Sequence, residues 1–197
     1  MSLPCRLQVS GGFLLLAAWF VLANGWEPLL TVLGAAAVHE LGHWAVLRLL
    51  GAEVTCVRLS ALGAVLETDS TRLSYGGELA AVLAGPAANL LAAILLTAWG
   101  RGRLPVAVGA NLVLCAFNLL PVRPLDGGRA LYLLASWLGG PAAGEAASRW
   151  LGAVTALALA AGLGFVMRQT GGSLWLLPAL AASVYWGARP WISGAYP

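Results

Sequence analysis

The chain has 197 residues, is 60% hydrophobic and carries 11 basic and 8 acidic side chains, so only 10% of it is charged. Soluble domains carry about 25% charged residues, and a surface this poor in charge cannot be solvated by water. The basic residues are all scattered arginines, with no lysine, and the small net charge of +3 excludes a nucleic-acid-binding face.

A helix needs about 17–25 apolar residues to cross a bilayer. Runs of that kind predict six spans, at residues 7–26, 28–51, 79–100, 104–122, 151–167 and 170–188. Arg6 precedes the first run as it would in a secretory signal, but Leu22-Ala23-Asn24-Gly25 is a poor cleavage site, and the run reads as a span. Between the second and third spans, residues 54–59 and 63–68 are rich enough in β-branched residues to form a small β-hairpin at the cytoplasmic interface, with a plain loop as the alternative. Trp26, Trp99, Trp150, Trp175 and Trp186 fall near span ends, where amphipathic rings favour the interface. The fold expected is therefore an all-α polytopic membrane protein of about six transmembrane helices plus this hairpin, one domain over residues 1–197. With the N-terminus inside, eight arginines fall in cytoplasmic segments and three outside, which predicts that both termini are cytoplasmic.

Cys5, Cys56 and Cys115 are odd in number and lack C-x-x-C spacing, so neither a disulfide framework nor a thiolate zinc site is expected. The metal-ligating chemistry lies elsewhere. The chain's two histidines both occur in His39-Glu40-Leu41-Gly42-His43, within the second span. Residues four apart share a helix face, so both imidazoles can reach one metal ion. Glu40 is turned about 100° from His39, near the ion without ligating it, where a carboxylate can take a proton from an activated water. A structural polar cluster is the competing reading, but burying two histidines and a glutamate in a membrane helix costs several kcal/mol, about 3 for each charged group.

A catalytic zinc site usually has three protein ligands. With no third histidine, the remaining ligand must be a carboxylate. Glu27, Glu53, Glu67, Asp69, Glu78 and Glu145 fall in predicted loops or at interfaces. Asp126 differs, because it follows the fourth span in Asn118-Leu-Leu-Pro121-Val-Arg-Pro124-Leu-Asp126-Gly127-Gly128, where two prolines break the helix and two glycines permit a sharp turn. Its depth is compatible with His39 and His43, since the second and fourth spans both run inward. An ordinary turn remains the alternative reading of Asp126-Gly127-Gly128.

His-Glu-x-x-His in a membrane helix, followed by Asn-x-x-Pro-x-x-x-Leu-Asp-Gly, resembles the site-2 protease family of intramembrane zinc metalloproteases. Gly85-Pro86-Ala87-Ala88-Asn89 is similar to that family's Gly-Pro-x-x-Asn segment. The resemblance implies one zinc ion held by His39, His43 and Asp126, with Glu40 as general base. It also implies that Asn118 and the stretch from Pro121 through Pro124 to Leu125 line the substrate. The compact layout, without a PDZ insertion, is similar to the sporulation-type branch (stage IV sporulation protein FB), whose members usually carry a C-terminal CBS domain that is not expected here. That branch implies a membrane-tethered protein substrate such as a pro-sigma factor, an active site toward the cytoplasmic side of the cell membrane, and a membrane regulatory or inhibitory partner. Asn118 also reads as a helix–helix hydrogen bond, and Gly85, Pro86 and Asn89 read as close helix packing. Arg123 and Arg129 read as positive-inside anchors. A non-catalytic zinc-binding protein or a transporter is the rival function. A transporter should scatter ionisable residues through several spans, and here the interiors of the first, third, fifth and sixth carry none.

Overall fold

The computed structural model describes residues 6–52, 54–60, 63–68, 73–100, 102, 104–169, 179–181 and 183–185. The chain divides into two compact units, Met1–Asn118 and Leu119–Pro197.

The first unit opens with strand β1 (Arg6–Val9), followed by helices α1 (Gly11–Asn24) and α2 (Trp26–Leu49). The expected first span thus splits. Leu7, Gln8 and Val9 are extended, and the helix starts only at Ser10, whose hydroxyl accepts from the Phe13 N–H at 3.2 Å as an N-cap. Gly25, at φ +89°, separates α1 from α2 in a conformation that a side chain would strain. Strands β2 (Val54–Ser60) and β3 (Gly63–Thr68) pair antiparallel, and β1 adds parallel to β2, with Arg6 opposite Cys56 and Val9 opposite Leu59. The third strand was not anticipated, because its residues merge with the apolar run that follows.

Helix α3 (Tyr75–Gly100) begins where the Ser74 hydroxyl accepts from the Gly77 N–H at 3.2 Å. Helix α4 (Pro105–Asn118) stops four residues short of the expected end of the fourth span. Helices α2, α3 and α4 pack on one another. The α2–α3 approach is close because Gly42 has no side chain: a Cβ there would lie 2.7 Å from that of Ala88.

The second unit holds α5 (Asp126–Gly139) and α6 (Pro141–Gln169), packed together. Helix α5 was missed from sequence, being short, charged at its start and amphipathic. It buries Ala130, Leu133 and Ser136 while exposing Trp137 and Leu138. Helix α6 begins ten residues before the expected fifth span, at Pro141, a favoured first helical residue. A Cβ on Gly144 would lie 2.8 Å from the Tyr132 carbonyl, so α6 sits directly against α5. The expected sixth span lies largely outside the described residues, which form helix at 179–181 and 183–185.

Helices α2, α3 and α6 are each long and apolar enough to cross a membrane, and α1 and α4 are shorter apolar helices. Their outward residues, including Leu22, Leu33, Leu90, Leu91, Val154 and Leu157, are apolar and exposed, as a lipid-facing surface requires. The protein is a helical membrane protein.

Candidate metal centre

His39 and His43 lie one turn apart on α2, and their Nε2 atoms stand 3.1 Å from each other. The rings meet edge to face, with centroids 4.7 Å apart and planes at 82°. His39 is buried and His43 half-buried. Each Nδ1 is committed as a donor. His43 Nδ1–H donates to the Ala81 carbonyl at 2.8 Å, an atom that can only accept. His39 Nδ1–H donates to Asn89 Oδ1 at 2.7 Å. A neutral imidazole that donates through Nδ1 keeps a lone pair on Nε2, so in that tautomer both Nε2 atoms direct lone pairs at one region. Two such atoms repel at this distance unless a cation lies between them. With zinc–imidazole bonds of ~2.0–2.1 Å, the 3.1 Å separation corresponds to an angle at the metal of about 95–102°, near tetrahedral. The pair therefore fits two corners of a zinc site.

Helix α3 forms the wall behind these rings, and each residue of its Gly-Pro-x-x-Asn segment has a task there. A Cβ on Gly85 would overlap His43 Nε2 and lie 2.8 Å from His39 Cε1, so only glycine leaves room for both imidazoles. Pro86, fully buried, has no N–H to give the Val82 carbonyl and loosens that turn. The carbonyl recruited by His43, Ala81, belongs to the same turn. Asn89 is fully buried and orients His39. The expectation that these three residues serve packing alone is thus too narrow.

Glu40 follows His39 on α2 and is half-buried. Asn118 is the last residue of α4, and its amide donates to the Leu114 carbonyl at 3.0 Å, one turn back in its own helix. This contact is neither the helix–helix bond nor the substrate contact foreseen. Asn111, which belongs to none of the motifs that the sequence offers, is buried on α4 and bonded to Asn89.

In the second unit, Asp126 is the first residue of α5 and half-buried. Pro121 and Pro124 lie in the turn that leads to it, Pro121 half-buried and Pro124 exposed. The turn is anchored by Val122, 1% exposed, against Leu125 and Ala156. The Arg123 guanidinium lies 4.5 Å from the Tyr132 ring centroid, a role beyond membrane anchoring. Gly127 and Gly128 do not make the sharp turn expected of them, because both are helical. They are small for another reason. A Cβ on Gly127 would overlap the Leu119 carbonyl, and one on Gly128 would lie 2.6 Å from the Arg123 nitrogen. The turn backbone crosses the first turn of α5 at contact distance, and this close approach fixes where Asp126 begins the helix.

The chain matches no family model. It is 34% identical over 182 residues to the zinc metalloprotease Rip3 of Mycobacterium tuberculosis, covering 84% of this chain and 45% of that one. It is 28% identical over 145 residues to stage IV sporulation protein FB of Bacillus subtilis, covering 69% of this chain and 50% of that one. The chain spans a third to a half of the length of the curated relatives it matches. Among solved structures, it resembles the site-2 protease of Methanocaldococcus jannaschii with a TM-score of 0.65, over 96% of this chain and 90% of that one, at 23% identity. That last likeness is one of fold.

Proposed function

The chain belongs to the site-2 protease family, and from that premise we propose that it is a zinc metalloendopeptidase acting within the membrane. The observation that carries this reading is the pair of Nε2 atoms 3.1 Å apart, both rings committed through Nδ1, on a helix apolar enough to span a bilayer.

His39, His43 and Asp126 are the proposed ligands of one zinc ion. The carboxylate is assigned from the Leu-Asp-Gly motif and from the need for a third protein ligand. Bound there, zinc would act as a Lewis acid toward water and the scissile carbonyl. Glu40, next to His39 and turned away from the His39–His43 face, accepts the proton of the attacking water and returns it to the leaving amine. The wall formed by Gly85, Pro86 and Asn89 holds both imidazoles in place while this happens. Asn118 and the turn containing Pro121 and Pro124 receive the substrate backbone. A substrate helix hides its carbonyls in its own hydrogen bonds, so the scissile segment must unwind before attack, and an edge strand beside β2–β3 is a place for it to pair.

Residues 1–197 act as one protease domain that crosses the cell membrane six times, with both termini and the active site toward the cytoplasm, as the arginine distribution supports. The substrate is a membrane-tethered regulatory protein of the kind that a pro-sigma factor represents, and a membrane partner governs access to it.

Co-expression with a tethered test substrate, comparing the native chain with Glu40→Gln and measuring zinc in both, tests the reading. Loss of cleavage with zinc retained is expected. A native chain that purifies without zinc would refute it. Equal cleavage by the native chain and Glu40→Gln would remove Glu40 from the mechanism.

A further inference from the structure

A chain of amide hydrogen bonds runs from α4 through α3 to the metal-facing ring on α2. Asn111 Nδ2 donates to the Ala107 carbonyl at 2.9 Å, which leaves Asn111 Oδ1 facing Asn89. Asn89 Nδ2 then donates twice, to Asn111 Oδ1 at 2.8 Å and to the Ala35 carbonyl of α2 at 2.9 Å. Both protons of that amide are used, so Asn89 Oδ1 is the atom turned to His39 Nδ1, 2.7 Å away. Turning either amide over would set oxygen against the Ala107 or the Ala35 carbonyl. Two backbone carbonyls, neither able to donate, thus determine the orientation of both side chains. Asn89 is 0% exposed, Asn111 5% and His39 5%, so water does not compete for these bonds.

We propose that Asn89 and Asn111 are positioning residues that hold His39 as its Nδ1–H tautomer and so present the Nε2 lone pair to zinc. The proposal rests on the metal site described above and deepens it. Without Asn89, the buried imidazole loses the acceptor that holds its Nδ1 proton. The proton then shifts to Nε2, the atom the metal needs, and must be displaced before zinc can bind. Hydrogen-bond partners of metal-ligating histidines commonly govern affinity in this way. His43, tied to a backbone carbonyl, holds its own tautomer independently.

The chain contains two histidines, both in this site, so a full-length sample labelled with 15N in its histidine rings gives signals from these residues alone. In the zinc-free native chain, the two Nε2 atoms can draw apart, and both rings are expected to keep the Nδ1–H pattern that their acceptors impose. In Asn89→Leu, His39 should change to Nε2–H while His43 is unaffected, and zinc affinity, measured by competition with a chromophoric chelator, should fall about 10–100-fold. Asn111→Leu removes one of the two acceptors that orient Asn89, and its loss should stay below about tenfold. Asn89→Asp keeps an oxygen opposite His39 Nδ1, and its buried carboxyl, taken as the acid whose hydroxyl donates toward the Ala35 carbonyl, should retain the native tautomer. If Asn89→Leu does not fold, Asn89→Ala carries the same expectation. Native zinc affinity with an unchanged His39 pattern in the leucine or alanine variant overturns the inference. So do equal losses in Asn89→Leu and Asn89→Asp, which would show packing alone at work. A native chain without zinc affinity overturns instead the function on which the inference rests.

Discussion

Gly85→Ala is the smallest change that should disable the metal centre, and its effect can be worked from the geometry. The added Cβ would overlap His43 Nε2, lie 2.6 Å from His43 Cε1 and 2.8 Å from His39 Cε1. Ordinary van der Waals contact begins near 3.4 Å, so the His43 ring, whose Nε2 is the nearest atom, must withdraw by more than about 0.8 Å (3.4 less the 2.6 Å of its Cε1) and the His39 ring by about 0.6 Å (3.4 less 2.8). Zinc sites tolerate departures of about 0.2 Å in ligand distance, three to four times less than these shifts. The alternative is to separate α2 from α3, which is resisted where Gly42 lies against Ala84 and Ala88. Overpacking of this kind costs about 1–3 kcal/mol. The expected outcome is a folded but destabilised chain whose zinc affinity has dropped on the order of 100-fold or more, at the upper end of or beyond the effect of losing a ligand's outer partner. The assay is chelator competition on the purified chain, with thermal unfolding in parallel. Gly109→Ala is the control, since a Cβ there meets nothing within 4 Å. It should bind zinc normally and unfold no earlier than the native chain. If Gly85→Ala holds one zinc with native affinity, the rings are not confined as described and the argument from α3 fails.

Glu40→Gln should lower the cleavage rate by about 10²–10⁴-fold, the usual contribution of a general base, with zinc content unchanged. Asp126→Ala should lose zinc affinity while helix content, read by circular dichroism, stays native; retention of zinc would exclude the carboxylate as a ligand. Gly127→Ala, whose Cβ would overlap the Leu119 carbonyl, should cost about 1–3 kcal/mol in unfolding experiments, with lower activity because Asp126 moves with the start of α5. Ser10→Ala should cost about 1 kcal/mol of stability through loss of the α1 cap and leave zinc binding unaffected.

The metal-facing pair was legible because its code is local. Four residues of one helix bring His39 and His43 onto one face whatever else the chain does, and no packing argument calls for two imidazoles in an apolar run. The partners of those imidazoles were not legible, for the complementary reason. His39 is oriented from 50 residues away by Asn89, and His43 from 38 residues away by a main-chain atom of Ala81, which has no signature in any side chain. The Gly-Pro-x-x-Asn segment could be matched as a pattern. Its meaning, room at Gly85 and an acceptor at Asn89, appears only once α3 is laid against α2.

Element boundaries show the same division between local and distant causes. Composition reads a continuous apolar run over β1 and α1, since lipid and a strand both favour such residues, and the signal that parts them is the single N-cap Ser10. A search for spans passes over α5, which begins with a charge, spans 14 residues and buries one face against α6 instead of facing lipid all round. Its mark in sequence is the 3.6-residue periodicity of Ala130, Leu133 and the small residues before them. Gly127 and Gly128 suit a turn in sequence because glycine is ambiguous there between conformational freedom and small size. The backbone decides for size: the turn from Leu119 to Leu125 needs the space that two side chains would occupy, and Asp126 opens α5 where it does because they are absent.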